Sequence, residues 1–145
     1  MSNIKQRLDG VITNVHRKLA KSEFIPPIKT DKGIIVGNVL IVTNGTQKDL
    51  YRNNQIVYGG VFLNKCAIKI ANLIALGKDP TRTNMIYNAD QKFGQALLDY
   101  QVFKDKLILA KRNNDQFKID LYLARMTYAR DCYEHHKKLA LALAA

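Results

Sequence analysis

The side chains best equipped for chemistry stand close together near the C-terminal end: Asp131, Cys132, Glu134, His135 and His136. On a helix Cys132 and His136 share a face at i, i+4, as do Asp131 and His135, so either pair would offer two ligands to a metal such as zinc. Two ligands do not make a site, and Cys66 would have to arrive from elsewhere in the chain as a third. The competing reading is packing. His136 falls on an apolar helical seam opposite Phe93, where an imidazole lies comfortably against an aromatic ring. The spacing favours packing, and the expectation is no metal and no cofactor.

Other catalytic patterns are missing. Gly33 and Gly37 are not followed by Gly-Lys-Ser/Thr, and the chain has no GxGxxG, GxSxG or HExxH. Metal-dependent nucleases need clustered carboxylates, whereas the acids here fall singly, mostly on helix flanks. A protein that is not an enzyme is expected.

The charge balance points to interactions. Lys and Arg number 23 against 12 acids, a formal net charge of +11, which favours nucleic acid, anionic lipid or an acidic protein as partner. Bases stack on aromatic faces beside basic residues. Lys48, Tyr51, Arg52 and Tyr58 on one hairpin, joined by Lys65 and Lys69 on the polar side of the next helix, are therefore the candidate nucleic-acid contacts. Tyr100, Tyr122 and Tyr133 are already accounted for as core.

Two long helices have to carry most of these residues. Ile86, Ala89, Phe93, Ala96, Tyr100, Phe103, Leu107 and Ala110 recur at alternating steps of three and four. Ile119, Tyr122, Met126, Ala129, Tyr133, His136, Ala140 and Leu143 do the same. At 3.6 residues per turn each set stacks on one face, the seam of a coiled-coil-like helix. Asn113-Asn114 separates the runs and Asp115 is placed to cap the second, which predicts an antiparallel helical hairpin. Folded about Asn114 and Asp115, Ala96 faces Tyr133, Tyr100 faces Ala129, Phe103 faces Met126 and Leu107 faces Tyr122. In that register Asp90 arrives beside Lys137 or Lys138, and Asp99 beside Arg130.

A second apolar stripe lies off this seam: Leu98, Val102 and Leu109 on the first helix, Leu121, Tyr128 and Leu139 on the second. A two-helix hairpin buries one stripe per helix, so these residues need another surface, supplied by the rest of the chain or by another subunit. They are the candidate interaction surface.

The remaining elements come earlier. Ile4, Leu8, Val11, Val15 and Leu19 predict an amphipathic helix over residues 2–22, and Pro26-Pro27 stiffens the linker behind it. Ile34 to Val36 and Val39 to Val42 are β-branched runs. Asn44-Gly45 and Asn53-Asn54 signal hairpin turns, the second pairing Arg52 with Gln55, Tyr51 with Ile56 and Leu50 with Val57. The expected element is an antiparallel meander over residues 34–58. Leu63, Cys66, Ala67, Ile70, Ala71 and Ile74 form the stripe of a helix over 63–76 that covers it, and Gly77 stops that helix.

The expected fold class is α+β: an N-terminal helix, a small β-meander covered by a helix, then the hairpin. A chain of 145 residues suits a single domain, divided as 1–33, 34–78 and 79–145. Charge interrupts the N-terminal apolar run, so no signal peptide is expected. Cys66 and Cys132 show no disulfide pattern, and no run approaches the ~20 apolar residues that span a bilayer. A cytoplasmic or virion-associated protein is the expectation.

The stretch LYRNNQIVYGGVFLNKCAIKIANLIALGKD, followed by YNADQKFGQALLDYQVFKDKL, resembles small uncharacterised proteins encoded by tailed bacteriophages of aquatic bacteria. The likeness covers about residues 50–110. It implies a virion component or an accessory of DNA transactions, and it transfers no functional residue. Together these readings favour an assembly protein, a homo-oligomer or part of a larger protein assembly, ahead of a sequence-independent nucleic-acid-binding accessory.

Overall fold

The computed structural model describes residues 24–145, so the helix expected over 2–22 lies outside the described residues. Five antiparallel strands follow one another in chain order: β1 (Ile28–Lys29), β2 (Ile34–Val36), β3 (Val39–Asn44), β4 (Gln47–Arg52) and β5 (Gln55–Val61). Helix α1 (Asn64–Ala75) then precedes the hairpin of α2 (Pro80–Arg112) and α3 (Gln116–Leu143). The class is α+β, with the hairpin in place.

The meander is larger than the sequence patterns predict. β1 lies in the stretch assigned to a linker, because a two-residue strand behind Pro26-Pro27 has no periodicity to read. Gly45 takes φ +66° and Asn44 pairs with Gln47, so the β3–β4 turn is centred on Gly45-Thr46 instead of Asn44-Gly45. Asn53 and Asn54 do form the next turn, at φ 53° and 61°, with the expected partners Arg52–Gln55 and Tyr51–Ile56. Beyond them the register slips. Leu50 pairs with Tyr58, not Val57, and Lys48 pairs with Val61. β5 thus carries two bulges, the second at Gly59-Gly60, where Gly60 takes φ +70° and its amide donates to Asp49 Oδ1 at 2.8 Å.

One sheet face meets α1. Val36, Val39, Ile41, Leu50 and Val61 are buried against Cys66, Ala67, Ile70, Ala71 and Leu73, and each large aliphatic so placed is worth about 1.5–3 kcal/mol relative to exposure. α1 ends as expected, with Gly77 at φ +63° and the Lys78 amide reaching back to Leu73 O at 2.9 Å. The same cluster takes in Ile86 and Ala89 from α2 and Ala140 from α3, and no residue between Ala89 and Ala140 belongs to it. The core is rooted in the open end of the hairpin and goes no further.

The hairpin is capped at every critical point. Asp79 and Asp115 accept from the amides of Arg82 (3.1 Å) and Lys118 (3.2 Å). At the open end the Arg82 guanidinium donates to the carbonyls of Leu143 (3.3 Å) and Ala145 (3.1 Å), serving groups that a helix C-terminus leaves without partners. Every seam residue of both helices is buried or half-buried. Tyr133 sits edge-on between Phe93 and Tyr100, at 6.2 and 5.4 Å, which brackets its expected partner Ala96. Among the described residues no helix is long and apolar enough to cross a membrane.

The flanking ion pairs read from that register are replaced by other contacts. Asp90 is fully buried, on the side of α2 that meets the sheet, and its carboxylate accepts from the amides of Phe62 and Leu63, both at 2.8 Å. Asp99 accepts from Gln95 at 3.0 Å, and Arg130 lies 3.8 Å from its neighbour Asp131.

Candidate functional site

About two turns of α2, from Asn84 to Gln91, fix the hairpin to the sheet through β5. Tyr87 donates to Gly59 O (2.8 Å), Gln91 to Gly60 O (2.7 Å), and Asp90 receives the two amides at the β5–α1 corner. Tyr58 donates to Asn84 Oδ1 (2.6 Å) and packs edge-on to Tyr87; burial and that neighbour raise its hydroxyl above the ordinary tyrosine value. Burial likewise raises the Asp90 carboxyl, against the lowering pull of its two amide donors, Gln91 and Lys48. This joint is polar and densely hydrogen-bonded. Its role is to aim the hairpin.

Beyond the joint the hairpin is a free-standing arm, and there the second stripe lies open. Leu98 is 42% exposed, Val102 50%, Leu109 57% and Tyr128 73%, while Leu121 is half-buried. Ile108, Phe117 and Leu123, which the sequence reading did not single out, are exposed on the same arm. Among the described residues, nothing in the α/β half covers them.

A groove of about 600 Å³ runs along one side of the arm, lined by Ala96, Asp99, Phe103, Leu121, Ala124, Arg125, Tyr128, Ala129 and Cys132. Small side chains make it. Ala96, Ala124 and Ala129 leave the helix surface bare between Phe103 at one end and Tyr128 on the lip. Phe103 stacks on Tyr122 at 6.4 Å, and two cations cover that pair: Lys106 Nζ lies 5.8 Å from both ring centres and the Arg125 guanidinium 5.9 Å from Phe103. The Cys132 thiol beside Tyr128 raises that hydroxyl above its ordinary value. With seam positions at a and d of a heptad, Val102, Leu109, Leu121 and Tyr128 all fall at c, the outer edge of this same side. Leu98, at f, lies one step further round.

Neither a protein-family model, nor a curated protein, nor a solved structure matches the chain.

The candidate nucleic-acid residues do not converge, and Tyr58 is taken up by the joint with Asn84 and Tyr87. Lys48 turns inward and donates to Phe62 O at 3.1 Å, beside Asp90. Tyr51 lies on the sheet face away from α1. Arg52 lines a shallow pocket with Lys78, Tyr58 and Asn84 at the start of α2. Lys65 and Lys69 line another with Phe24 and Ile68 on α1.

The chemically versatile residues are dispersed as well. Cys66 is fully buried, its Sγ 3.8 Å from Ala140 O, and burial pushes its thiol up to about 12, out of reach of thiolate chemistry at neutral pH. His136 sits on the seam with its Nδ1 buried and without a hydrogen-bond partner, edge-on to His135 at 5.2 Å. Among the described residues no three His, Cys, Asp or Glu side chains converge on a point that a metal could occupy.

The sequence reading also missed an apolar row on the outer face of the sheet. Ile28, Ile35, Leu40, Tyr51 and Ile56 are successive cross-strand partners, one per strand, on the face away from α1. Alternation in β2 and β3 held that signal, but the row is completed by β1, which was read as linker, and by a β3–β4 turn one residue away from its expected place.

Proposed function

We propose that this chain is a non-enzymatic assembly protein that oligomerises, or docks into a larger protein assembly, through the arm of its helical hairpin. The supporting observation is the arm itself. It carries large exposed apolar side chains on both helices, beyond the core that the described residues form. The resemblance to phage-encoded proteins supports a virion-associated setting for that assembly.

The +11 charge supports a second reading, a sequence-independent nucleic-acid accessory. The two readings part in solution. Sedimentation of the wild-type protein should give an oligomer, and Leu98→Asp combined with Val102→Asp should release monomers of unchanged helix content. A wild-type protein that is monomeric at every working concentration would sink self-assembly. If that monomer also bound duplex DNA with a log–log salt slope of about −0.9 per phosphate contacted, the second reading would take its place.

A further inference from the structure

Resting on that assembly reading, we propose that the occupant of the arm's groove is the same groove on a second copy of this chain, laid antiparallel so that the tip of each arm lies toward the base of the other. The groove is polarised along its length. Asp99 lines it on the side nearer the α/β half, while Arg125 lines it nearer the tip, next to Lys106 over the Phe103 and Tyr122 rings. Asp99 and Lys106 are seven residues apart on one helix, two turns or about 10 Å. A parallel second copy would set cations against cations and carboxylate against carboxylate. An antiparallel copy sets each Asp99 against the other's Arg125 and Lys106. Charge therefore selects both the occupant and its direction.

Shape agrees with charge. A two-fold interface has to carry its knob and its hole on the same surface, because residue i of one copy meets residue j of the other and the reverse. Here the knob is Tyr128, 73% exposed on the lip, and the hole is the bare floor at Ala96, Ala124 and Ala129. The outer edges add Val102, Leu109 and Leu121. From Gln95 to Arg112 the face runs about 27 Å, and two helices make it about 20 Å wide, the footprint of an interface of standard size. The antiparallel arrangement also sends the two α/β halves to opposite ends of the resulting four-helix bundle, so neither obstructs the contact.

A charge swap tests the arrangement by sedimentation equilibrium on the full chain. Asp99→Arg and Arg125→Glu should each weaken the dimer at least tenfold, and the double variant should return it to within about threefold of wild type. A double variant no tighter than the weaker single would overturn the antiparallel pairing, and a wild-type dimer in the same experiment would leave the broader assembly reading standing. A wild-type protein that stays monomeric overturns the proposal outright. Cys132 supplies a check that needs no variant, because it lines the groove while Cys66 is buried. Its alkylation by iodoacetamide should slow as protein concentration rises through the dimer dissociation constant. A rate that ignores concentration while the protein dimerises would place the interface elsewhere.

Discussion

Phe62 fills the space that a side chain at position 94 would need: its ring lies against the backbone of Gly94 in α2 and edge-on to Phe93 at 6.5 Å. A glycine inside a 33-residue helix is usually a liability of about 1 kcal/mol relative to alanine. Here it is what lets the corner between β5 and α1 approach the hairpin.

Gly94→Ala should therefore destabilise the protein by about 1–3 kcal/mol, the range for forcing extra atoms into a packed site, instead of stabilising it. Urea unfolding measures this directly. A variant as stable as wild type would mean that Phe62 moves aside freely and that the joint is loose.

Asp90 should prove the most sensitive polar residue of the described chain. Asp90→Ala leaves the part-buried amides of Phe62 and Leu63 without their acceptor, at up to about 1–3 kcal/mol each. Asp90→Asn keeps one acceptor and should fall between. If Asp90→Ala lost less than half a kcal/mol by thermal or urea unfolding, water would have to reach the corner. The carboxylate would then be dispensable to the joint.

His136 should make stability fall on mild acidification. Burial, then His135 and Lys92, lower its folded value below the ordinary imidazole value near 6.5. A base so depressed favours the neutral form in the folded state. Its contribution is thus complete above the unfolded value and is lost as pH drops through about 6.5 toward the folded value. The urea midpoint should decline between pH 7.5 and 5.5 in wild type and much less in His136→Leu, with His135→Leu keeping most of the decline. Parallel profiles for wild type and His136→Leu would assign the titration to another group.

The sequence made the hairpin legible because its signal is local: a seam at steps of three and four, a cap at Asp115, and facing residues on either side of Asn114. The exposed stripe was legible by subtraction, since one seam cannot bury Leu98, Val102 and Leu109 as well as Phe103 and Leu107. What stayed hidden depends on distant partners. Asp90 reads as a solvated helix acid until β5 and α1 are brought against it. The groove needs Ala96 on one helix to align with Ala124 and Ala129 on the other, and alanines at helical spacing announce nothing. The second β5 bulge is held by Asp49 catching the Gly60 amide, and no pairing rule from the turn outward anticipates that.

The break in the core between Ala89 and Ala140 divides the molecule mechanically. Sheet, α1 and the open end of the hairpin form a root that must open together, because their side chains share one cluster. The arm beyond Gly94 shares none of it and can fray from Asn114 backward without breaching the root. On the assembly proposed above, a partner that grips the tip would add order there. An isolated chain would keep its root intact while its tip samples open states, and engagement would stiffen the arm without any change in the sheet.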